Sequence, residues 1–265
     1  MKLREFLEAD IGDGDITTDL TVPNTDGRAA IVMEEDGVVA GLEEASDIFS
    51  IVGCDAEPLV KDGDRVKSGT RVMCISGPLK GIITAERTAL NFIMRMSGIA
   101  TVTANTVATC DGLIIAATRK TTPGFSTYEK KAVKIGGGDP HRMKLDSMIL
   151  VKDNHIKACG SVKAAMEKLS DAPFSYKIEV EVSNVSDAVT AANMGADIIM
   201  ADNTDPAQTK EIRDAVKAVN DKILVEASGC ISPDNAKDYV GSADIISMGC
   251  LTHSVKSIQF SLDIL

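Results

Sequence analysis

The cationic side chains of this sequence gather in a few short stretches. Thr118-Arg119-Lys120 comes first, then His141-Arg142, then Lys152 at the head of Lys152-Asp153-Asn154-His155. Arginine grips a carboxylate through two parallel N–H···O bonds and lysine adds a point charge, so the set invites an anionic substrate. Two acids follow, Glu181 in the run IEVEV and Asp202 in ADN. A carboxylate pair on neighbouring elements suits a divalent metal held through oxygen, or stabilisation of a developing positive charge. The turns Ser228-Gly229-Cys230 and Met248-Gly249-Cys250 come last, the second followed closely by His253. Backbone N–H groups in such turns seat phosphate, and His253 could donate to it. Together these groups suggest a phosphorylated sugar held beside a carboxylated ring.

Other reactive residues stay outside this pattern. Gly136-Gly137-Gly138 lacks the strand-then-helix frame of a dinucleotide fingerprint and reads as a flexible loop. His155 is either a site residue or a group that orients its neighbours. The three histidines have no metal-ligand spacing, and neither a G-x-S-x-G elbow nor a Cys–His pairing supports nucleophilic catalysis.

The elements that must position these groups are short apolar runs at 113–117, 147–151, 177–182, 197–201, 222–227 and 243–247. Helical stretches such as SVKAAMEKL, VSDAVTAANMG and DPAQTKEIRDAVKAVN separate the later ones. Strand alternating with helix means parallel strands and right-handed crossovers. Each run ends in a polar or glycine cluster, which puts the reactive residues on the carboxyl edge of one sheet, where ligands bind in such folds. Six strands are too few for a closed eight-stranded barrel of ~250 residues. An incomplete α/β-barrel and an open doubly wound sheet remain.

Upstream, residues 84–109 read as one helix. Leu90, Ile93, Ser97, Ala100 and Ala104 form its small-to-apolar stripe, while Arg87, Asn91 and Arg95 form a polar stripe that reads as solvated. Residues 1–80 read as short helices and strands broken by turns, with VKDGDRVKSGTRVMCI a β scaffold segment. The division expected is a first domain over 1–110, a second over 111–251, and a tail, 252–265, returning to the first.

Composition narrows the partners. A net charge of -11 disfavours nucleic acid, and no apolar run approaches the roughly 20 residues of a membrane span. The acidic N-terminus lacks a signal region, and six scattered cysteines without a CxxC pair suit a reducing cytoplasm.

The segments GDGDITTDL, AERTALNFIMRMSGIAT, TRKTTPG, GGGDPHRMKLDSMILVKDNHI, IEVEV, ADIIMADN, LVEASG and ADIISMGCLTHS together resemble the quinolinate phosphoribosyltransferase family, the decarboxylating nicotinate-nucleotide pyrophosphorylases. They occur in family order over nearly the whole chain. The resemblance implies an α/β protein with an N-terminal α/β sandwich and an incomplete α/β-barrel. It implies NAD biosynthesis from quinolinate and phosphoribosyl pyrophosphate with magnesium, in a homodimer or larger assembly whose sites are completed across the interface. Arg87 of ERTALN would then reach the neighbouring site, which overturns its solvated reading. Thr118, Arg119, Lys120, His141, Arg142 and Lys152 would surround the substrates, with Lys120 bridging them. Glu181 and Asp202 would face the ribose and magnesium. Ser228, Gly229, Cys230, Met248, Gly249, Cys250 and His253 would match the phosphate positions. Three departures stand out: Ala117-Thr118 where the family has Asp-Thr, FSTYEKKAV in place of a basic-aromatic stretch, and Cys230 at a glycine position. The alternatives are a same-fold transferase acting on another carboxylated heterocycle, and a non-catalytic ligand-binding paralogue.

Overall fold

A computed structural model describes residues 3–265. The chain forms two compact units, the first of residues 3–104, 121–137 and 252–265, the second of 105–120 and 138–251. Segment 121–137, which the sequence division leaves in the second domain, therefore belongs to the first unit.

The first unit is built on a four-stranded antiparallel sheet. Its strands are β1 (Asp26–Met33), β3 (Asp55–Pro58), β5 (Thr70–Pro78) and β12 (Phe260–Ile264), in the order β12-β1-β5-β3. A separate ribbon pairs β2 (Gly37–Val38) with β4 (Arg65–Val66). Helices α1 (Leu3–Ile11), α2 (Ile16–Thr21) and α3 (Leu42–Ile51) precede the long α4 (Leu79–Thr109). The predicted stripe of α4 is its buried face: Leu90, Ile93, Ser97 and Ala100 are all shut from solvent. Ser97 also ties the helix to residue 40, accepting the Ala40 N–H at 2.9 Å.

The polar stripe of α4 is not uniformly solvated. Arg95 donates to Glu129, 2.8 Å away and fully buried on α5 (Ser126–Ile135), and to the backbone carbonyls of Val255 and Thr252. A guanidinium with five donors is satisfied there by carbonyls and one carboxylate, contacts that lie far apart in sequence. Gly136-Gly137-Gly138 is also not a flexible loop at its start. Gly136 caps α5, and a Cβ there would lie 2.5 Å from the Ala100 carbonyl and 2.8 Å from the Thr103 Cβ. The glycine lets α5 end against α4. Phe6, Phe92, Phe125 and Tyr128 close the same region as an aromatic cluster with ring centroids 4.9–6.2 Å apart.

The second unit holds a six-stranded parallel sheet, ordered β6-β11-β10-β9-β8-β7. The strands are β6 (Ile114–Ala116), β7 (Ile149–Val151), β8 (Ile178–Val182), β9 (Ile198–Asp202), β10 (Leu224–Ser228) and β11 (Ile245–Ser247). The edges β6 and β7 remain apart in this order, so the barrel is incomplete. Val180, Val182, Ile199, Ala201 and Val225 face outward and pack with Val162 of helix α7 (Val162–Glu167) and with Ala188, Ala191, Ile212 and Val216 of helices α8 (Val185–Asn193) and α9 (Pro206–Val219). Asn184 and Asp205 cap these helices through their side chains, and Pro206 follows the second cap.

Aspartates lock the amino-terminal side of the sheet. Asp197 accepts the Ile178 N–H at 2.8 Å, and Asp244 accepts the Val225 N–H at 2.9 Å while pairing with Arg213 and Lys217 of α9. Burial pushes the Asp244 carboxyl up, but the hydrogen bonds from Lys217, Val225 and Arg213 outweigh it and hold it below the usual range. The carboxyl ends of the strands are left for chemistry. Among the described residues no helix is long and apolar enough to cross a membrane.

Candidate active site

The carboxyl ends of the parallel strands open into a cavity of about 540 Å³, the size of a small-ligand site. The cluster after β6 enters it through Thr118, Arg119 and Lys120. Thr118 shapes this turn by accepting the Lys120 N–H on its hydroxyl at 3.0 Å. His141 and Arg142 line the cavity from the loop before β7, and Lys152 and Asp153 from the turn after it. The Arg142 guanidinium donates to the Met148 carbonyl at 3.4 Å. Burial, then the nearby charge of Arg119, lowers the Arg142 pKa. Two guanidinium groups that repel each other across a cavity favour an anion between them.

β8 and β9 supply the acids. Glu181 and Asp202 both line the cavity. Burial raises the Glu181 carboxyl and the charge of Asp202 raises it further, while Lys152, with Nζ 3.8 Å from Glu181 Oε2, lowers it. The Asp153 N–H reaches Glu181 Oε1 at 3.4 Å, and Asn203 donates to Asp202 Oδ2 at 2.6 Å. Two crowded carboxylates of this kind are a hard oxygen donor set that fits magnesium.

β10 and β11 close the ring with small residues. Ser228, Gly229, Cys230 and Ser247 line the cavity, with the Ser247 hydroxyl donating to Ser228 Oγ at 3.0 Å. The backbone here is tight: Gly229 has φ +94° and Cys230 φ 51°. A Cβ on Gly229 would lie 2.8 Å from the Asn203 nitrogen, so the position has no room for a side chain.

Other residues picked from the sequence are not among those that line this cavity. Met248 is buried and its N–H donates to the Ala116 carbonyl at 2.9 Å. Neither Met248, Gly249 nor Cys250 lines this cavity; the Cys250 thiol points to the Ile231 carbonyl at 3.6 Å. Arg87 and His253 belong to the first unit, both exposed, Arg87 3.7 Å from Glu86 and His253 2.5 Å from Ser254 Oγ. His155 is an orienting group: its Nδ1 accepts the Lys152 N–H at 2.9 Å in the first turn of α6 (Asp153–Cys159).

Sequence reasoning missed Glu226, and it left Glu179 without a role. Both are fully buried, and His141 Nε2 lies 3.2 Å from Glu226 and 3.3 Å from Glu179. The signal was present. Central parallel strands are buried on both faces and read as apolar runs, so a glutamate inside IEVEV or LVEAS is out of place unless it serves the interior.

Residues 15–97 match the family model of the quinolinate phosphoribosyl transferase N-terminal domain, and residues 99–263 that of its C-terminal domain. The chain is 42% identical to a probable carboxylating nicotinate-nucleotide pyrophosphorylase of Methanothermobacter thermautotrophicus, covering 99% of this chain and 97% of that one. It is 37% identical to the carboxylating nicotinate-nucleotide pyrophosphorylase of Homo sapiens over 89% of this chain and 81% of the other. Among solved structures, NadC from Streptococcus pyogenes superposes with a TM-score of 0.92 at 36% identity, covering 99% of this chain and 95% of that one.

Proposed function

The chain belongs to the quinolinate phosphoribosyltransferase family, and on that premise we propose how its own residues carry the reaction. The reaction joins quinolinate to phosphoribosyl pyrophosphate and yields nicotinate mononucleotide, pyrophosphate and carbon dioxide, a step of NAD biosynthesis. The observation that carries the assignment of roles is one cavity lined by Arg119, Lys120, Arg142, Lys152, Glu181, Asp202 and the turn 228–230.

Arg119, Arg142 and Lys152 hold the two carboxylates of quinolinate, and Lys120 bridges it to the co-substrate. Ser228, Gly229 and Cys230 take the phosphate through backbone N–H groups. The ring nitrogen attacks the anomeric carbon, and the bond to pyrophosphate breaks with its electron pair leaving on oxygen. Positive charge grows on the ribose as that bond opens, and Glu181 and Asp202 face it. In the pyridinium product the bond to the adjacent carboxylate breaks with its electron pair staying on the ring carbon, where the neighbouring positive nitrogen stabilises it; carbon dioxide departs and a proton then takes up that pair. Fixing both anions in attack geometry supplies a large share of the rate. Magnesium would be held by Glu181 and Asp202 with the co-substrate, and would neutralise charge on the leaving pyrophosphate.

A shared site is supported by the intact ERTALN segment and the exposure of Arg87, whose side chain is 60% accessible. On this reading a homodimer, or a larger assembly built from it, brings Arg87 to the neighbouring cavity. Cytoplasmic function is supported by six cysteines that are all unpaired. The test is an assay with phosphoribosyl pyrophosphate, magnesium and quinolinate labelled in its 2-carboxylate. Label should leave as carbon dioxide in step with nicotinate mononucleotide. Nucleotide formed from nicotinate instead, with no label released from quinolinate, would overturn the reading.

A further inference from the structure

His141 is held at three points. Its backbone lies in the left-handed region, φ 54°, which side chains other than glycine seldom adopt. Asp139 secures that conformation by accepting the His141 N–H at 2.6 Å. The ring is then pinned through Nε2, 3.2 Å from Glu226 Oε2 and 3.3 Å from Glu179 Oε2. Strained backbone that its surroundings over-determine marks places where a side chain must stand in one position.

The two glutamates come from β10 and β8, on either side of β9. Both are fully buried, and among the described residues neither Glu179 oxygen nor Glu226 Oε1 has a hydrogen-bonding partner. Keeping carboxylates in a barrel interior with so little compensation is costly, and apolar residues would serve the strands better. What the pair does is act on His141. A neutral ring donating from Nε2 would present an accepting Nδ1, which repels a carboxylate; a protonated ring presents a second donor. The facing carboxylates favour the protonated ring: burial pushes His141 down, but the carboxylates of Glu179 and Glu226 beside Nε2 outweigh it and lift its pKa to about 10. Two further charged groups stand by this cluster, Asp139 at the His141 N–H and Arg142, which acts on Glu179 and is itself beside Arg119.

We propose that Glu226, backed by Glu179, is a positioning residue that fixes His141 as a two-donor cation whose Nδ1–H meets a carboxylate of the pyridine dicarboxylate. The anchor thus adds a neutral-pH cation to the Arg119–Arg142 grip and aims it. The inference rests on the cavity being the quinolinate site. The same three side chains place their ligand atoms close enough for a metal ion, so metal content is one arm of the test.

The experiment uses the whole chain and Glu226→Gln, which keeps shape and removes charge. Calorimetry should show the quinolinate Kd raised roughly 10- to 100-fold, the range of one charge-assisted hydrogen bond. The KM for phosphoribosyl pyrophosphate should hold within about 2-fold. In a His141→Gln background, Glu226→Gln should change the Kd by less than about 2-fold, because a group acting through another has nothing left to act on. Imidazole ¹⁵N spectra at pH 7.5, assigned with His141→Gln, should show both His141 nitrogens protonated in the wild type and one in Glu179→Gln/Glu226→Gln. Should Glu226→Gln not fold, Glu226→Asp is read by the same measurements. An unchanged Kd, equal effects in both backgrounds, a neutral wild-type His141, or a stoichiometric metal lost on Glu226→Gln would each overturn the proposal. Failure of the wild type to bind quinolinate would instead sink the functional reading, while the spectra still report on the glutamate–histidine anchor.

Discussion

Glu181 and Asp202 stand on adjacent strands and, on the proposed reading, confront charge that exists only as the bond to pyrophosphate opens. Removing either should therefore cost turnover more than affinity. We expect Glu181→Ala and Asp202→Ala to lower kcat by on the order of 100- to 1,000-fold while the quinolinate Kd moves far less. Near-normal turnover in both variants would remove them from the mechanism. His141 makes a different kind of statement, about pH. Its pKa in the fold is about 10, against 6.5 for a free histidine. A raised value means that its pairing stabilises the fold fully below about pH 6.5 and is lost as pH climbs through about 10. Urea unfolding of the wild type and His141→Gln should show a gap in stability at pH 6 that narrows at pH 10.5. A gap that widens would contradict the ion pairing.

The helices and strands show where reading a sequence succeeds and where it stops. Runs such as LIIAA, SMILV and DIIMA each became a parallel strand, because continuous apolar stretches bounded by turns have few other fates. The glycine turn after β10 and the cationic turn after β6 were legible for the same reason, being fixed by local order along the chain. What was hidden is long-range. FSTYEKKAV reads only as a departure from the family's basic-aromatic stretch; it is largely α5 of the first unit, with Glu129 facing Arg95. Nothing within a few residues of Arg95 announces a buried carboxylate on α5 or carbonyls near residue 255. Gly136 is a similar case, since its reason is the Ala100 carbonyl on α4. Gly136→Ala should destabilise the protein by about 1–3 kcal/mol, the usual cost of forcing extra atoms into a packed contact. Denaturant unfolding measures it, and a stability within about 0.5 kcal/mol of wild type, the range of a neutral surface change, would show that α4 and α5 can part freely.

For the whole molecule the question is whether one chain suffices. Arg87 is exposed on α4 of the first unit, and its segment ERTALN is intact. On the shared-site reading, Arg87→Ala injures the neighbouring chain's cavity and Lys120→Ala that of its own chain. Mixed dimers then carry one site with both defects and one with neither. With random exchange about half the dimers are mixed, so activity should return to about a quarter of wild type although each parent is nearly inactive. Exchange confirmed by mass, with no activity regained, would mean that Arg87 works within its own subunit or not at all.

The antiparallel sheet of the first unit has a consequence for how the chain is made. β1 and β5 leave the ribosome early, yet the strand that flanks β1 on its other side is β12, residues 260–264. Every strand of the parallel sheet, from Ile114 to Ser247, is synthesised between them. Domains ordinarily fold in the order of synthesis, at roughly 5–20 residues per second. Here the nascent chain must carry an unfinished sheet edge throughout translation of the barrel, so the domain begun first is completed last. An open edge of that kind is what chaperones shield and what neighbouring nascent chains on a polysome can pair with by mistake.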